Sequence, residues 1–395
     1  MTDASPPRRP VRAVRALHHD TADRPFIVIW EVTRACGLAC LHCRADAVTR
    51  RDPRELTTTD GRRLLEQVAS FGTPRPLVVL TGGDPFERPD LAELVAYGAS
   101  LGLSVSVSPS VTRRLTREVL DELREAGTKA ISISLDGAHA ATHDAFRGIP
   151  GVFDATLTAL RDVREAGLRL QVNTTVTADS VLELPEVLRR VVDVGAALWS
   201  VFFLVPTGRG ARLRPLTAAQ TEEVLHWLHD VGDIVPVKAT EAAHFRRLAV
   251  QRATADDVAA AFPPGPLRAE LGRRTATALE GAVIRRRPPR PPLDVGSGRG
   301  FVFVDHLGVV YPSGFLPQPA GSVRDAPLPE LYRESALLRR LRDPALLAGR
   351  CGRCEFRAVC GGSRSQSYAV GGDALAEDPT CAWQPQEDTA LVPQR

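Results

Sequence analysis

The stretch EVTRACGLACLHCRA, Glu31 to Ala45, holds three of the chain's seven cysteines, Cys36, Cys40 and Cys43, in the spacing C-x3-C-x2-C. It follows FIVIWEV (26–32), a β-rich run, so the thiols are predicted to project from a loop at the C-terminal end of a strand. A closed zinc site takes four protein ligands. Three thiolates leave one place open. Two readings fit: an iron–sulfur cube with one iron free for a substrate or cofactor, or a zinc ion completed by His42 or another histidine.

Downstream of the loop a regular alternation begins. Strand-like runs lie at 76–80, 104–110, 130–135, 169–176 and 198–205, and helical periodicity at 61–72, 91–102, 116–127, 152–167, 184–195 and 218–232. With 26–32 that makes six strands, each followed by a helix, the pattern of a parallel sheet with helices packed outside. Six units are too few for a complete eight-fold barrel, so an open partial barrel and a doubly wound sheet both fit. In either, functional loops sit at the C-terminal ends of the strands.

Several polar positions fall there. TGGDP (81–85) puts Thr81, Gly82, Gly83 and Asp84 after the second strand, where a glycine pair lets backbone approach a ligand, or simply makes a turn. SISLDG places Ser132, Ser134 and Asp136 at the end of the fourth strand, and Asn173 and Thr175 alternate to one face of the fifth. Each could equally be a hydrogen-bonded interior residue.

The remaining chain differs in character. Residues 246–290 hold ten arginines against four acidic residues and end in RRRPPRPP (285–292), which cannot continue a helix or central strand. A linker is predicted over 236–295, with a bridging helix at 239–253. GFVFVDHLGVVYPSG (300–314) reads as a hairpin turning at DHLG, followed by a short helix at 328–342. Then come Cys351, Cys354, Cys360 and Cys381, four thiols sufficient for a closed site, structural zinc or cluster.

Composition excludes several classes. A net charge of +3 on 395 residues gives no footprint for nucleic acid. No apolar run reaches the roughly 18 residues of a membrane span. Residues 1–23 are Pro/Arg-rich without an apolar signal segment and read as a mobile basic tail. An odd number of cysteines in two clusters argues for metal binding in a reducing, cytoplasmic compartment rather than for a disulfide framework.

Taken together, C-x3-C-x2-C after strand one, GGDP after strand two and the polar residues after strands four and five resemble the radical S-adenosylmethionine (radical SAM) enzymes over residues 24–235. The resemblance implies a partial (β/α)6 barrel of TIM type. It implies a [4Fe–4S] cluster on Cys36, Cys40 and Cys43, whose open iron is chelated by SAM. Reduced cluster then cleaves SAM to a 5′-deoxyadenosyl radical that takes hydrogen from the substrate, with electrons from an external donor such as flavodoxin or ferredoxin. Carried over by motif, His42 stands where an aromatic meets adenine, and Gly82, Gly83 and Asp84 (GGDP for GGEP) contact the methionine amine. Ser134 and Asn173 resemble ribose or carboxylate contacts, Arg147 in HDAFRG the methionine carboxylate partner, and the backbone at Val205 a neighbour of adenine.

Residues 296–395 resemble the SPASM/twitch extension of these enzymes, which implies that the second cysteine group holds an auxiliary [4Fe–4S] cluster. Ser313 and Ser363 stand where such domains place further cysteines, so one auxiliary cluster is expected rather than two. The segments at 202–210, 237–248 and 310–325 resemble the subgroup acting on heme precursors in heme and heme d1 biosynthesis. There Glu241 replaces a cysteine and Ala243 a proline, while His244 is kept. The expected substrate is tetrapyrrole-like or another small carboxylated molecule, with Arg209, Arg212, Arg246 and Arg247 as cationic candidates, Glu241 as a further candidate substrate residue and His244 as a candidate iron ligand. Two alternatives stay open: a ribosomal peptide maturase of the SPASM type, and a non-catalytic iron–sulfur or zinc scaffold.

Overall fold

A computed structural model describes residues 13–385. Seven parallel strands run in unbroken order: β1 (Ile27–Glu31), β2 (Leu77–Thr81), β3 (Ser104–Val107), β4 (Ala130–Ser134), β5 (Arg169–Val176), β6 (Leu198–Phe203) and β7 (Val237–Thr240). A doubly wound sheet would reverse this order at a switch point, so the partial barrel holds. The sheet is not closed: among the described residues β7 forms one end of the strand order.

Alternation along the strands explains both layers. Val28, Trp30, Leu80, Val105, Ile133, Val172, Trp199 and Val201 are at most 1% exposed and form the core with the helices. The alternate positions, Thr81, Ser106, Ser132, Ser134, Asn173, Thr175 and Ser200, are small and polar, so the inner face is hydrogen-bonding rather than greasy. The helices α1 (Thr58–Ala69), α2 (Leu91–Ser100), α3 (Arg117–Glu125), α4 (Ala140–Arg147), α5 (Val152–Glu165), α6 (Leu184–Asp193) and α7 (Ala218–Asp230) pack outside. A capping box, Thr57 with Asp60, starts α1, and Thr217 with Gln220 starts α7. Gly61 of α1 lies so close to Trp30 that a Cβ would sit 2.6 Å from its ring.

Three expectations are corrected. The stretch assigned to a linker contributes β7 to the sheet, and its helix, α8 (Phe245–Thr254), begins six residues later than the predicted 239. The Arg-rich region beyond is helical too, with α9 (Val258–Ala261) and α10 (Pro266–Ala278). The latter packs on α6 and α7, where Trp227 Nε1 donates to Thr275 Oγ1 at 3.0 Å. The third concerns the N-terminal tail. Within its described part, Arg15 N donates to Pro292 O, and Tyr332 and Arg342 donate to the carbonyls of Thr21 and Ala22. Residues 1–12 lie outside the described residues.

The C-terminal region starts with β8 (Gly296–Ser297). The predicted hairpin forms as β9 (Gly300–Val304) and β10 (Val309–Tyr311), turning at Asp305–Gly308. Its first strand pairs in parallel with β1, Ile27 opposite Phe301, so this region extends the barrel sheet beyond β1, and β11 (Gly321–Ser322) ends it on that side. Four short helices complete it: α11 (Leu328–Glu334), α12 (Ala336–Arg342), α13 (Gly349–Arg353) and α14 (Arg364–Gly371). No helix among the described residues is long and apolar enough to cross a membrane.

Candidate functional site

The cysteine loop lies at the C-terminal end of β1, gripped on several sides. Gly83 N donates to Thr33 O at 2.8 Å and Asp84 N to Ala35 O at 2.6 Å. A Cβ on Gly83 would fall 2.3 Å from Ala35 O, and one on Gly82 2.6 Å from Thr33 O. The glycine pair is therefore required by this backbone approach. On the opposite side, α4 ends in Gly148 (φ 74°), whose absent Cβ would meet Ala39 O at 2.7 Å, and Leu41 N donates to Phe146 O. From β6, the turn at Gly208–Arg212 packs on the same loop through Arg209 N to Cys43 O at 3.1 Å.

Each thiol of the triad has its own N–H donor. Leu38 N lies 3.3 Å from Cys36 Sγ, Ala47 N 3.5 Å from Cys43 Sγ, and Arg147 Nη1 3.7 Å from Cys40 Sγ. Burial pushes the Cys36 and Cys40 thiols up. Donors aimed at sulfur favour the thiolate that a metal requires, and hydrogen bonds to sulfur tune iron–sulfur clusters. The donor set thus fits a three-cysteine cluster.

Arg147 is a hub. It is 8% exposed and pairs with Asp136, which is 2% exposed and also accepts from Thr175 N at 2.7 Å. Burial alone would raise Asp136; Arg147 holds it below the usual carboxylate range. His143 Nδ1 accepts from Asp136 N at 3.1 Å, so the imidazole is neutral there, in line with a pKa lowered to about 4 by burial. Ser134 lies in register with Asn173, and Ser134 and Arg147 share a pocket with Leu38, Ser110 and Thr156. Ser110 Oγ donates to Gly83 O at 2.8 Å and lies 3.5 Å from Cys36 Sγ, joining the two motifs. The ring of His42 stacks on Phe146 at 4.5 Å, its Nδ1 without a partner.

Other residues take different places. Asp84 is fully buried, accepting from Phe86 N and Thr112 Oγ1, and desolvation raises it to about 6; it fastens the turn after β2. Thr81 O accepts from Val32 N, and Val205 O from Thr207 N. Arg246 donates to the carbonyls of Val359, Val295 and Cys360, and Arg247 to Glu222 and Gln251, so both are used within the fold. Arg212 is exposed. Arg209 differs from them, with Nε and Nη2 buried and unpartnered beside the cysteine loop. His244, at the start of α8, is fully buried and lies 3.7 Å from Asp378 of the C-terminal region. Glu241 lies between Ser313 and Ser363.

Cys351, Cys354, Cys360 and Cys381 line one pocket with Arg247, Arg350 and Trp383. Gly362 N and Asp378 N donate to the sulfurs of Cys360 and Cys351. Burial pushes Cys354 and Cys360 to about 11 and Cys381 to about 12. Among the described residues no three His, Cys, Asp or Glu side chains form a group suited to a single metal ion.

Sequence reasoning missed α4, too short for a periodicity signal, and with it Phe146. It also missed Ser110, although the alternating serines of SVSVSPS mark that strand's inner face. The Glu31 contacts were missed as well. This buried carboxylate accepts from Arg44 at 2.7 Å and His306 at 3.1 Å, tying the cysteine loop to the hairpin.

Comparisons with known proteins bear on the family and the fold. The radical SAM superfamily profile matches residues 30–191. An AdoMet-dependent heme synthase of Oleidesulfovibrio alaskensis is 38% identical over 92% of this chain and 89% of its own. A mycofactocin maturase of Mycobacterium tuberculosis is 30% identical over 94% and 86%. The crystal structure of Streptococcus suis SuiB bound to S-adenosylmethionine shares the fold, with TM-score 0.62 and 14% identity over 91% of this chain and 78% of that one.

Proposed function

Because this chain belongs to the radical SAM superfamily, an enzyme close to AdoMet-dependent heme synthases, we propose that it abstracts hydrogen from a tetrapyrrole-like or other small carboxylated substrate. Family membership implies SAM and a [4Fe–4S] cluster and sets aside a non-catalytic scaffold. Cys36, Cys40 and Cys43 would hold that cluster. When bound, it supplies one electron that splits SAM into methionine and a 5′-deoxyadenosyl radical, which leaves as 5′-deoxyadenosine after taking a substrate hydrogen.

The protein's own groups orient and exclude. Arg147, fixed by Asp136, presents positive charge beside Cys40 and in the pocket with Ser134, where a methionine carboxylate would be met. The GGDP turn brings backbone against the loop. The observation that carries the reading is this triad, each thiol with its own donor, at the mouth of a strand array whose inner face is polar. For the substrate, the unpartnered guanidinium of Arg209 suits a carboxylate.

The four C-terminal thiols would hold one auxiliary [4Fe–4S] cluster. A zinc ion would draw its four sulfurs within about 2.3 Å of a single point, whereas a cube spreads them. A relative among peptide maturases supports a second reading, a peptide substrate. The working units would be 24–235 and 296–395, joined through 236–295. An external reductant such as flavodoxin or ferredoxin and a reducing cytoplasmic compartment complete the proposal, in keeping with seven free cysteines.

The test is anaerobic reconstitution with iron counting and 5′-deoxyadenosine release, followed by substrate screening. About eight irons per chain, falling to about four when all three triad cysteines become alanine, is the expected result. About four irons in both proteins would overturn the reading. Deoxyadenosine release stimulated by peptides but not by tetrapyrroles would select the second substrate class.

A further inference from the structure

Three residues stand where the resemblance would place cysteines: Glu241, Ser313 and Ser363. They are 72 and 122 positions apart from Glu241 in sequence, yet they meet. Ser313 Oγ donates to Glu241 Oε1 at 3.1 Å, and Ser363 Oγ donates to Glu241 Oε2 at 2.5 Å. Each hydroxyl also accepts from its own turn, Ser313 from Phe315 N and Ser363, the N-cap of α14, from Gln366 N. Both are therefore fully used, with the single proton of each directed at the carboxylate. Ser313 is 3% exposed and Ser363 4%.

We propose that Glu241, Ser313 and Ser363 form a metal-free clasp in place of a further iron–sulfur cluster, fastening the end of β7, the segment after β10 and the start of α14 to one another. The inference rests on the two-cluster reading above. Three observations carry it. The donor set is all oxygen, whereas iron–sulfur clusters are held by thiolates. Hydrogen bonds already satisfy the carboxylate from both sides. Finally, Glu241 has φ 59°, a left-handed conformation uncommon for a non-glycine residue, and such backbone persists where the surroundings over-determine it. The carboxylate contacts supply that constraint. Neighbouring bonds continue the fastening, from Gln366 Nε2 to Leu204 O at 2.9 Å and from Ser363 N to Asp378 Oδ2 at 2.7 Å.

The experiment is hydrogen–deuterium exchange on the reconstituted full chain, with iron counted in the same samples. Glu241→Gly removes the carboxylate while easing the left-handed backbone, so lost protection belongs to the side chain. The double variant Ser313→Ala/Ser363→Ala removes both donors and carries the test if Glu241→Gly does not fold. Peptides spanning 310–316 and 363–371 should exchange about tenfold faster in the variants, with iron per chain unchanged from wild type. Unaltered exchange overturns the clasp. So does a wild type with about twelve irons that loses a third of them in Glu241→Gly. A wild type with only about four irons, together with the expected exchange change, would sink the auxiliary cluster and leave the clasp standing.

Discussion

Cys36, Cys40 and Cys43 sit on a loop held by sheet and helix: β2 through its glycine turn, α4 through Gly148, β6 through Arg209 N. Cys351 sits in the five-residue α13 and Cys354, Cys360 and Cys381 in the irregular chain after it, and the groups fixing them are local backbone N–H donors and arginines. The first set has three thiols and a polar pocket beside it. The second has four thiols and a pocket that they themselves line. The difference teaches how one ligand type would serve two purposes. A reactive site needs a rigid scaffold and one missing ligand, while a closed site can be built from turns because its own metal would order it.

The largest expected effect separates the two sets by chemistry. Cys36→Ala should lower 5′-deoxyadenosine release to background, whereas Cys381→Ala should retain measurable release while losing the auxiliary cluster signal. Equal loss in both variants would mean that the two cysteine sets serve one and the same step.

Next in size is the buried pair behind the triad. Arg147→Ala leaves Asp136 charged and unpaired in the interior, a loss of about 3–5 kcal/mol, read from denaturant unfolding of the chain. The exposed pair Arg62–Glu93 should give less than about 1 kcal/mol in the same assay.

Acid sharpens the same contrast. His143 has its folded pKa depressed to about 4, so the unfolded chain binds the extra proton first as pH falls. Its contribution is present above the unfolded value near 6.5 and is lost as pH falls toward 4, by about 3 kcal/mol. His143→Gln should flatten that part of the stability–pH curve by close to one proton. An unchanged slope would mean that His143 is protonated in the fold.

The smallest effects compare two glycines. Gly83→Ala should cost about 1–3 kcal/mol by overpacking and should disturb SAM cleavage, because the clash is with the cysteine loop. Gly362 is left-handed at φ 65°, and a Cβ there would sit 3.1 Å from Cys351 Sγ. Gly362→Ala, of similar cost, should lower iron content with little change in cleavage, as measured by iron counting and nucleoside release.

Much of this was legible in the chain. Spacing of the first cysteines, GGDP, and six strand–helix units are local signals carried by period and turn chemistry, so the open barrel and the place of the cysteine loop at its mouth could be read directly. β7 was not: VKAT is four residues long, and its assignment depends on pairing with β6. Nor was the hairpin's place beside β1, since a strand's partner is chosen by the edge that tertiary packing leaves free. Nor were the partners of Asp84, whose burial with Phe86 N and Thr112 Oγ1 depends on the fold. Arg246 and Arg247 looked like free cations and are consumed by carbonyls and Glu222.

The sequence by itself determined which residues could donate sulfur, where strands end and where backbone must pass close to backbone, because those are properties of residue type and short-range period. Only the tertiary structure decided that Arg147 lies against Cys40 and that Glu241 meets Ser313 and Ser363. These contacts join positions 72 to 122 residues apart, and the free energy that selects them comes from burying the whole sheet and its helices at once.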